Sequence, residues 1–452
     1  MAIQKTIFIS ILVGVEAKSI LRTNILGALL DSGARVVLFV KSKERADFYR
    51  AEYDHQNLYY EVVEKPRLSR LNGIFEFVRQ YLIQTKTMRL YKRLVYEESR
   101  NRLRYMASSL ATMLLARPAV RQFVRFLDYR LCWESSFDDV FHRYEPDCVF
   151  LSNLFSDIET SMLRAARARG IRTIGFINSW DKTTSRGSVR LHPDTLIVPS
   201  DFVLEDALRF VDIQPERIVV SGPPQYDDYT NTDGIISRED FFKKIKMDSR
   251  LPLVVFSPMG STWSDSDWDM IDLFHNEMEK RAQRPYNFFV RFLPNDSFDA
   301  RHAERPWLRY DIPGVRFGAL RGMDWDMRFD ELRHLKNTLY HASLFVSYAS
   351  SLAIDAALFD KPIINIGFEV RNGQGPFQTP TRRYETEHYS RGLLAGGIHM
   401  AKSKEELVEW IDRYLEDPSI DRSGRERLVR EQCSKVDGTA GARIAAAILG
   451  ER

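Results

Sequence analysis

The chain has 452 residues, 44% hydrophobic and 28% charged, with a formal net charge of only +3, a balance that excludes a disordered polymer and predicts two ordinary cores of about 200 residues each. Three cysteines, Cys132, Cys148 and Cys433, are too few and too scattered for a disulfide framework or a Cys-based zinc site. The apolar run 7–13 lacks a cleavage site, so it reads as a buried strand, and no run reaches the roughly 18 apolar residues of a membrane span. A reducing cytoplasm is the expected location.

In chain order, strand 7–13 is followed by one helix over 17–30, a strand at 36–40, a helix over 43–53 and a strand at 58–63. The strands are short, β-rich and unalternating, as in parallel sheets buried on both faces. After Pro66 this rhythm stops for a helical insertion, 66–134. Between Lys65 and Arg130 stand fifteen Lys and Arg against four acids, a local excess of +11 that leaves −8 for the remainder. Phe75, Phe77, Tyr81, Tyr91, Tyr96, Tyr105, Phe123, Phe126 and Tyr129 are interleaved at helical spacings. Such basic amphipathic helices suit an anionic membrane surface or an acidic ligand, or they form a plain solvated insertion.

The rhythm resumes with strand 148–151, helix 157–169, strand 171–177, a polar loop 178–187, strand 195–198, helix 201–210 and strand 218–221. Gly222-Pro223-Pro224 and the polar tract 227–234 mark a domain boundary. The second half repeats the alternation: strand 253–257, helix 267–283, strand 287–292, helix 330–341, then the unit 343–367 and closing helices 405–416, 422–433 and 438–449. The division is an N-terminal domain, 1–230, a second domain, 231–435, and a C-terminal helix, 436–452. The expected architecture is α/β, two doubly wound sheets with ligands at the carboxyl ends of the strands, in the cleft between domains.

In 343–367 a strand, a Ser350-Ser351 helix start and a returning strand after Pro362 form a βαβ unit whose helix N-terminus can hold an anion. Asp355, one turn on, can accept from a ribose or sugar hydroxyl. Gly260-Ser261-Thr262 after a strand can offer N–H and hydroxyl groups to phosphate, though it is not a P-loop. Arg291, at the next strand end, can take a phosphate bidentately or form an ion pair. In the loop 179–187, Asp181 is the candidate general base, with Trp180, Lys182 and Arg186 as acceptor or donor contacts; a turn Asp bonding its neighbours is the plainer alternative. Asp157 and Glu159 read as acids matching a helix dipole. His388 is a further contact candidate in a loop. The spacings Asp324-Trp325-Asp326 and Asp265-Ser266-Asp267 are weak as Mg²⁺ sites, and no metal ligand set or cofactor is expected.

The order of these motifs resembles the GT-B glycosyltransferases, and within them the bacterial CDP-glycerol glycerophosphotransferase and surface-polysaccharide branch. The residues that carry the resemblance are Val346, Ser350, Ser351, Asp355, Lys361 and Pro362. They are joined by Arg22-Thr23-Asn24, Ser179-Trp180-Asp181 with Thr184 to Gly187, Ser221 to Asp227, and Asp437-Gly438 with Arg443-Ile444-Ala445. It spans the chain except the insertion. It implies that the second domain binds a nucleotide-activated donor without an obligatory metal and that the first binds a glycan or lipid-linked glycan acceptor. The glycerophosphotransferases carry His-Gly and His-Pro where this chain has Trp180-Asp181 and Leu293-Pro294, which shifts the expectation from polyol-phosphate transfer to sugar transfer onto a bacterial surface glycan. A polyol-phosphate transferase, a nucleotide-sugar epimerase and an inactive nucleotide-binding or membrane-associated partner are the alternatives, and no nucleic-acid partner is expected.

Overall fold

The computed structural model describes residues 4–63, 69–133, 135–280, 285–294, 305–318, 324–371 and 374–451. Lys65 and Arg67 of the basic block, Glu134, and the end of the helix expected to reach residue 283 lie outside them. The chain divides into two compact units, one of residues 1–230 and 433–452 and one of residues 231–432.

The first unit begins β1 (Thr6–Ile11), α1 (Gly14–Ile20), α2 (Asn24–Asp31), β2 (Arg35–Val40), α3 (Lys43–Glu52) and β3 (Leu58–Val62). The insertion supplies α4 (Arg70–Val78), α5 (Lys86–Ser99), α6 (Arg102–Leu115) and α7 (Pro118–Leu131). Then come α8 (Asp138–Tyr144), β4 (Cys148–Leu151), α9 (Asp157–Ala168), β5 (Arg172–Phe176), α10 (Lys182–Ser185), β6 (Thr195–Val198), α11 (Asp201–Asp206) and β7 (Ile218–Val220). All seven strands are parallel, in the order β3-β2-β1-β4-β5-β6-β7. Every residue of β1 is buried, because apolar clusters cover both faces of the sheet. Phe8 meets Phe39 and Phe141 edge-on at 4.8 and 5.2 Å, so Phe8→Ala should cost about 3–5 kcal/mol.

The second unit runs α12 (Arg238–Ile245), β8 (Leu253–Ser257), α13 (Asp267–Glu279), β9 (Asn287–Arg291), β10 (Arg309–Asp311), the small hairpin β11 (Val315–Arg316) and β12 (Trp325–Asp326), α14 (Phe329–His341), β13 (Leu344–Ser347), α15 (Leu352–Leu358), β14 (Ile363–Ile366), α16 (Glu387–Leu393), β15 (His399–Ala401), α17 (Lys404–Glu416) and α18 (Arg422–Cys433). Its six-stranded sheet is parallel, ordered β10-β9-β8-β13-β14-β15, again with a cluster on each face.

The last helix, α19 (Ala440–Leu449), belongs to the first unit: Ile444, Ala445, Ile448 and Leu449 join the cluster of Ile25, Leu26 and Leu29. Its N-terminus is capped by Asp227, which accepts from the amides of Ala440 and Gly441 at 3.1 and 2.7 Å. Arg443 donates to the Ser221 carbonyl at 2.6 Å. Gly441 is required there, since a Cβ would run into the Asn24 amide. The motifs at 22–24, 221–227 and 437–445 therefore meet in one structural knot.

Two expectations change. The single helix over 17–30 is two helices, broken where Thr23 turns extended and bonds back to the Ile20 carbonyl at 3.0 Å. The loop 178–187 contains α10, in which Lys182, Thr183 and Thr184 are buried; Thr183 Oγ1 donates to Asp206 at 3.2 Å, Thr184 Oγ1 to the Asp181 carbonyl at 3.1 Å, and Thr85 Oγ1 of the insertion to the Thr184 carbonyl at 2.7 Å. Gly187, at φ +80°, lies where a Cβ would press on the Arg79 carbonyl, so the insertion docks directly on this segment.

Candidate functional site

In the first unit, the carboxyl edge of the sheet gathers a buried acid pair. Glu16 sits in the first turn of α1, and its carboxylate reaches back to accept from the amides of Leu12 and Val13, and from Asn153 Nδ2 at 3.0 Å. Glu159, on α9, is 0% exposed. Its Oε1 accepts from the hydroxyls of Ser10, at the end of β1, and Ser152, just past β4, the latter at 3.2 Å. Its Oε2 has no hydrogen-bond partner, and neither does Asn178 Oδ1 beyond β5, whose amide donates to the Ser152 carbonyl at 2.8 Å. Burial first, and the Glu16 charge second, push the Glu159 carboxyl up to about 8. Burial likewise pulls Lys182 down, while Glu16, Asp181 and Glu159 favour its charged form. Two acids and an ammonium are thus buried within electrostatic reach of one another, and the Glu159 carboxyl can hold a proton near neutral pH.

Asp157 and Glu159 do stand in the first turn of α9, and since every residue from 158 to 166 of that helix is buried, Glu159 lies in the core as well. Glu16 was missed because it follows an apolar strand without any polar neighbour to mark it.

Asp181 lies one element away. Its carboxylate accepts from Ser179 Oγ and, at 3.1 Å, from Ser185 Oγ, the arrangement of a turn Asp bonding its neighbours. Trp180 is half-buried against the apolar cluster, and Arg186 is exposed at the end of α10.

In the second unit, Ser257, Ser347 and Asn365 stand in register across β8, β13 and β14. Asn365 Nδ2 donates to the carbonyls of Ser347 and Tyr348 at 3.1 and 3.0 Å and its Oδ1 accepts from Tyr389 at 2.7 Å, which fixes the segment leading to Ser350. Ser350 Oγ accepts from the Leu352 amide at 3.3 Å, so Ser350 caps the helix; Ser351 is exposed and its side chain makes no cap bond. Asp355 is buried. Among the described residues, three buried polar atoms at this edge have no hydrogen-bond partner: Ser257 Oγ, the Tyr348 hydroxyl, and Glu369 Oε2. Burial, and then the charges of Asp267 and Glu369, hold the Tyr348 hydroxyl far above its usual range. Glu369 Oε1 accepts from the Thr381 hydroxyl at 2.6 Å, and burial raises its carboxyl. Neither Tyr348 nor Glu369 was among the sequence candidates.

Other candidates are engaged elsewhere. The amides of Met259 and Gly260 donate to the Asp267 carboxylate at 3.2 and 2.7 Å, so this turn spends two of its N–H groups on an acid. Ser261 and Thr262 are exposed. Arg291 is buried and paired with Asp311 on the adjacent strand, with His334 3.5 Å from that same carboxylate. Asp265 accepts from Gln374, and Asp326 accepts from the Met327 amide. Asp324 accepts from the Phe317 amide through its carbonyl. His388 stands in the first turn of α16 and not in a loop. Among the described residues, no group of three or more His, Cys, Asp and Glu is placed to hold a metal ion.

No known sequence family matches the chain, and no curated protein does either. Solved structures do. The UDP-GlcNAc 2-epimerase of Neisseria meningitidis, in a structure bound to UDP-GlcNAc, aligns over 99% of this chain and 100% of its own at a TM-score of 0.55 and 11% identity. The S. aureus MnaA–UDP structure aligns over 98% and 96% at 0.53 and 12%. The fold is GT-B. A glycosyltransferase from Rickettsia africae aligns over 100% of both chains at 0.49 and 13%. At these identities the likeness concerns the GT-B fold alone.

Proposed function

We propose that this GT-B protein is a nucleotide-sugar-dependent glycosyltransferase, moving a sugar from a nucleotide donor to a bacterial surface glycan. The observation that carries the reading is the edge of the second unit's sheet, where Ser257 Oγ, the Tyr348 hydroxyl and Glu369 Oε2 are buried and unpartnered beside the Ser350 helix start. Buried polar groups without partners are costly, and a polar ligand with several hydroxyls and a diphosphate meets them. Two similar folds are known in complex with UDP-GlcNAc and with UDP, which supports a nucleotide-sugar donor. The order of the motifs around Ser350 and Asp355 supports the glycan role. Donor binding is tested by thermal shift with UDP, GDP, CDP and CMP compounds: a ligand at a hundred times its dissociation constant adds about 2.7 kcal/mol, and no shift with any of them would leave a non-enzymatic partner as the better account.

Proton transfer in this reading belongs to the first unit. Asp181 as base and the Glu16–Glu159–Lys182 group as proton reservoir are separable: Asp181→Asn should lower turnover by about a hundredfold with donor binding intact, and unchanged turnover moves the role to Glu159.

The buried acid pair favours a second reading, a nucleotide-sugar epimerase, in which one carboxyl removes a proton from a sugar carbon and another returns one. Incubating the protein with UDP-GlcNAc alone decides between them. An epimer formed without acceptor supports the second reading; free UDP formed only with a glycan acceptor supports the first; product from labelled CDP-glycerol points to polyol-phosphate transfer instead.

The insertion supports action at an anionic membrane surface. More than half of the exposed large hydrophobic side chains among the described residues fall between Leu71 and Trp133, including Leu103 at 81% and Trp133 at 76% exposure. Arg100, Arg102, Arg117 and Arg130 are exposed around them. Flotation with vesicles of phosphatidylglycerol and of phosphatidylcholine tests it; equal or absent binding removes the membrane role.

A further inference from the structure

We infer that the cavity between α5, α6 and α10 in the first unit is a binding site for an anionic sugar, a carbohydrate bearing a phosphate or a carboxylate. The cavity has a volume of about 380 Å³, large enough for one or two sugar rings. Lys92, Arg104 and Arg186 line it together with Tyr81, Tyr96 and Tyr105, and no Asp or Glu does among the described residues.

Of the cations that line it, Arg79 pairs with Glu76 at 2.6 Å, and the charge of the other three is uncompensated among the described residues. The half-buried Lys92 ammonium donates to the Ser108 carbonyl at 3.3 Å and to Thr112 Oγ1, and lies 5.5 Å from the centre of the Tyr81 ring. Neither it nor the exposed guanidinium groups of Arg104 and Arg186 pair with a carboxylate among the described residues. The insertion's other buried cations differ: Arg121 and Arg125 are bound to Asp212 at 2.6 to 2.7 Å. Burial lowers the proton affinity of Lys92, and an anion docked beside it reverses that cost. Charge-assisted bonds from a fork of guanidinium groups fit a phosphate or carboxylate.

The walls fit the rest of a sugar. The rings of Tyr96 and Tyr105 are 5.0 Å apart and tilted by 34°, presenting apolar faces for C–H groups with hydroxyls at the margin. Ser185 lines the cavity and donates to the Asp181 carboxylate at 3.1 Å, so the cavity adjoins the segment that carries Asp181 and Lys182. The occupant's role as acceptor rests on the transfer reading above; its binding does not.

The test is calorimetric titration of the full chain, at fixed ionic strength, with glucose 6-phosphate, glucuronate, glucose and inorganic phosphate. One of the two anionic sugars should bind saturably and at least about tenfold tighter than glucose and than phosphate. Which of the two binds identifies the acidic group. Arg104→Gln and Arg186→Gln, both at exposed positions, should each weaken it by about five- to tenfold, and Lys92→Met by more, with any UDP-induced thermal shift unchanged. No saturable binding of either anionic sugar, equal binding of glucose, or unaltered affinity in Arg104→Gln and Arg186→Gln overturns the inference. Phosphate alone binding as tightly as the sugar phosphate overturns its sugar part. Loss of the UDP shift in the unmodified protein strikes at the donor reading and leaves this one standing.

Discussion

Glu159 is held between two hydroxyl donors and a second carboxylate with no water-facing surface. Its folded-state carboxyl, pushed up to about 8, keeps a proton that the unfolded chain releases near pH 4.3. The native state therefore binds more protons across that window. The stabilisation is complete below the unfolded value and fades as pH rises towards about 8. Glu159→Gln should flatten this decline, which urea denaturation at pH values from about 5 to 9 measures. The same variant should reduce turnover by about a hundredfold if the carboxyl moves a proton in the reaction. Lys182→Met removes a cation that favours ionised Glu159, so, with Glu159 acting as base, the acidic limb of the pH–rate profile should move upward. An unmoved profile would make Lys182 a packing residue. At this scale little was legible beforehand. Asp181 announced itself by lying in a polar loop, whereas Glu16, Glu159, Tyr348 and Glu369 acquire their meaning from burial, which comes from distant strands.

At the scale of elements, α7 shows how a basic stretch divides its labour. Arg121 and Arg125 turn inward to Asp212, and Arg125 also donates to the Val189 carbonyl at 2.9 Å and to Ser188 Oγ at 3.0 Å. Asp128, one turn further along the same buried face of α7, accepts from Arg164 and Arg190. Burial would raise the Asp212 carboxyl, but the two guanidinium groups overcome it and hold the carboxyl below its ordinary value. Asp212→Asn keeps the shape and leaves two buried cations uncompensated, so it should cost about 3–5 kcal/mol at pH 7. Because the folded carboxyl is depressed, its contribution is present above about pH 4 and lost as pH falls through the lower folded value. The stability difference between parent and variant should therefore shrink as pH is lowered through the folded value, as chemical denaturation along an acid pH series would show. The amphipathic character of the insertion was readable from its aromatic spacing. Its split into inward and outward cations was not, because Asp212, Ser188 and Val189 lie 63 to 91 residues away in sequence.

At the scale of the molecule, the parallel sheets were legible because strands covered on both faces are mostly apolar and do not alternate, as in residues 6–11 and 344–347. The break at residues 21–23 was not, since Arg22-Thr23-Asn24 looks like a polar step within one helix until the Gly441 end of α19 is seen against Asn24. Deleting residues 436–452 should remove Ile444 and Ile448 from the first unit's cluster, at about 1.5–3 kcal/mol each, along with the partners of Asp227 and Ser221. Hydrogen exchange of the truncated chain should find the first unit's strands unprotected and those of the second unit still slow; equal protection of both would contradict this. The same helix also orders events at the ribosome. The first unit begins to emerge first, yet the segment that closes its core is made after the whole second unit, at the usual pace of about 5–20 residues per second. The second unit can fold while the first waits, exposing the face that α19 will cover, so this protein completes its N-terminal unit only once the second has been made.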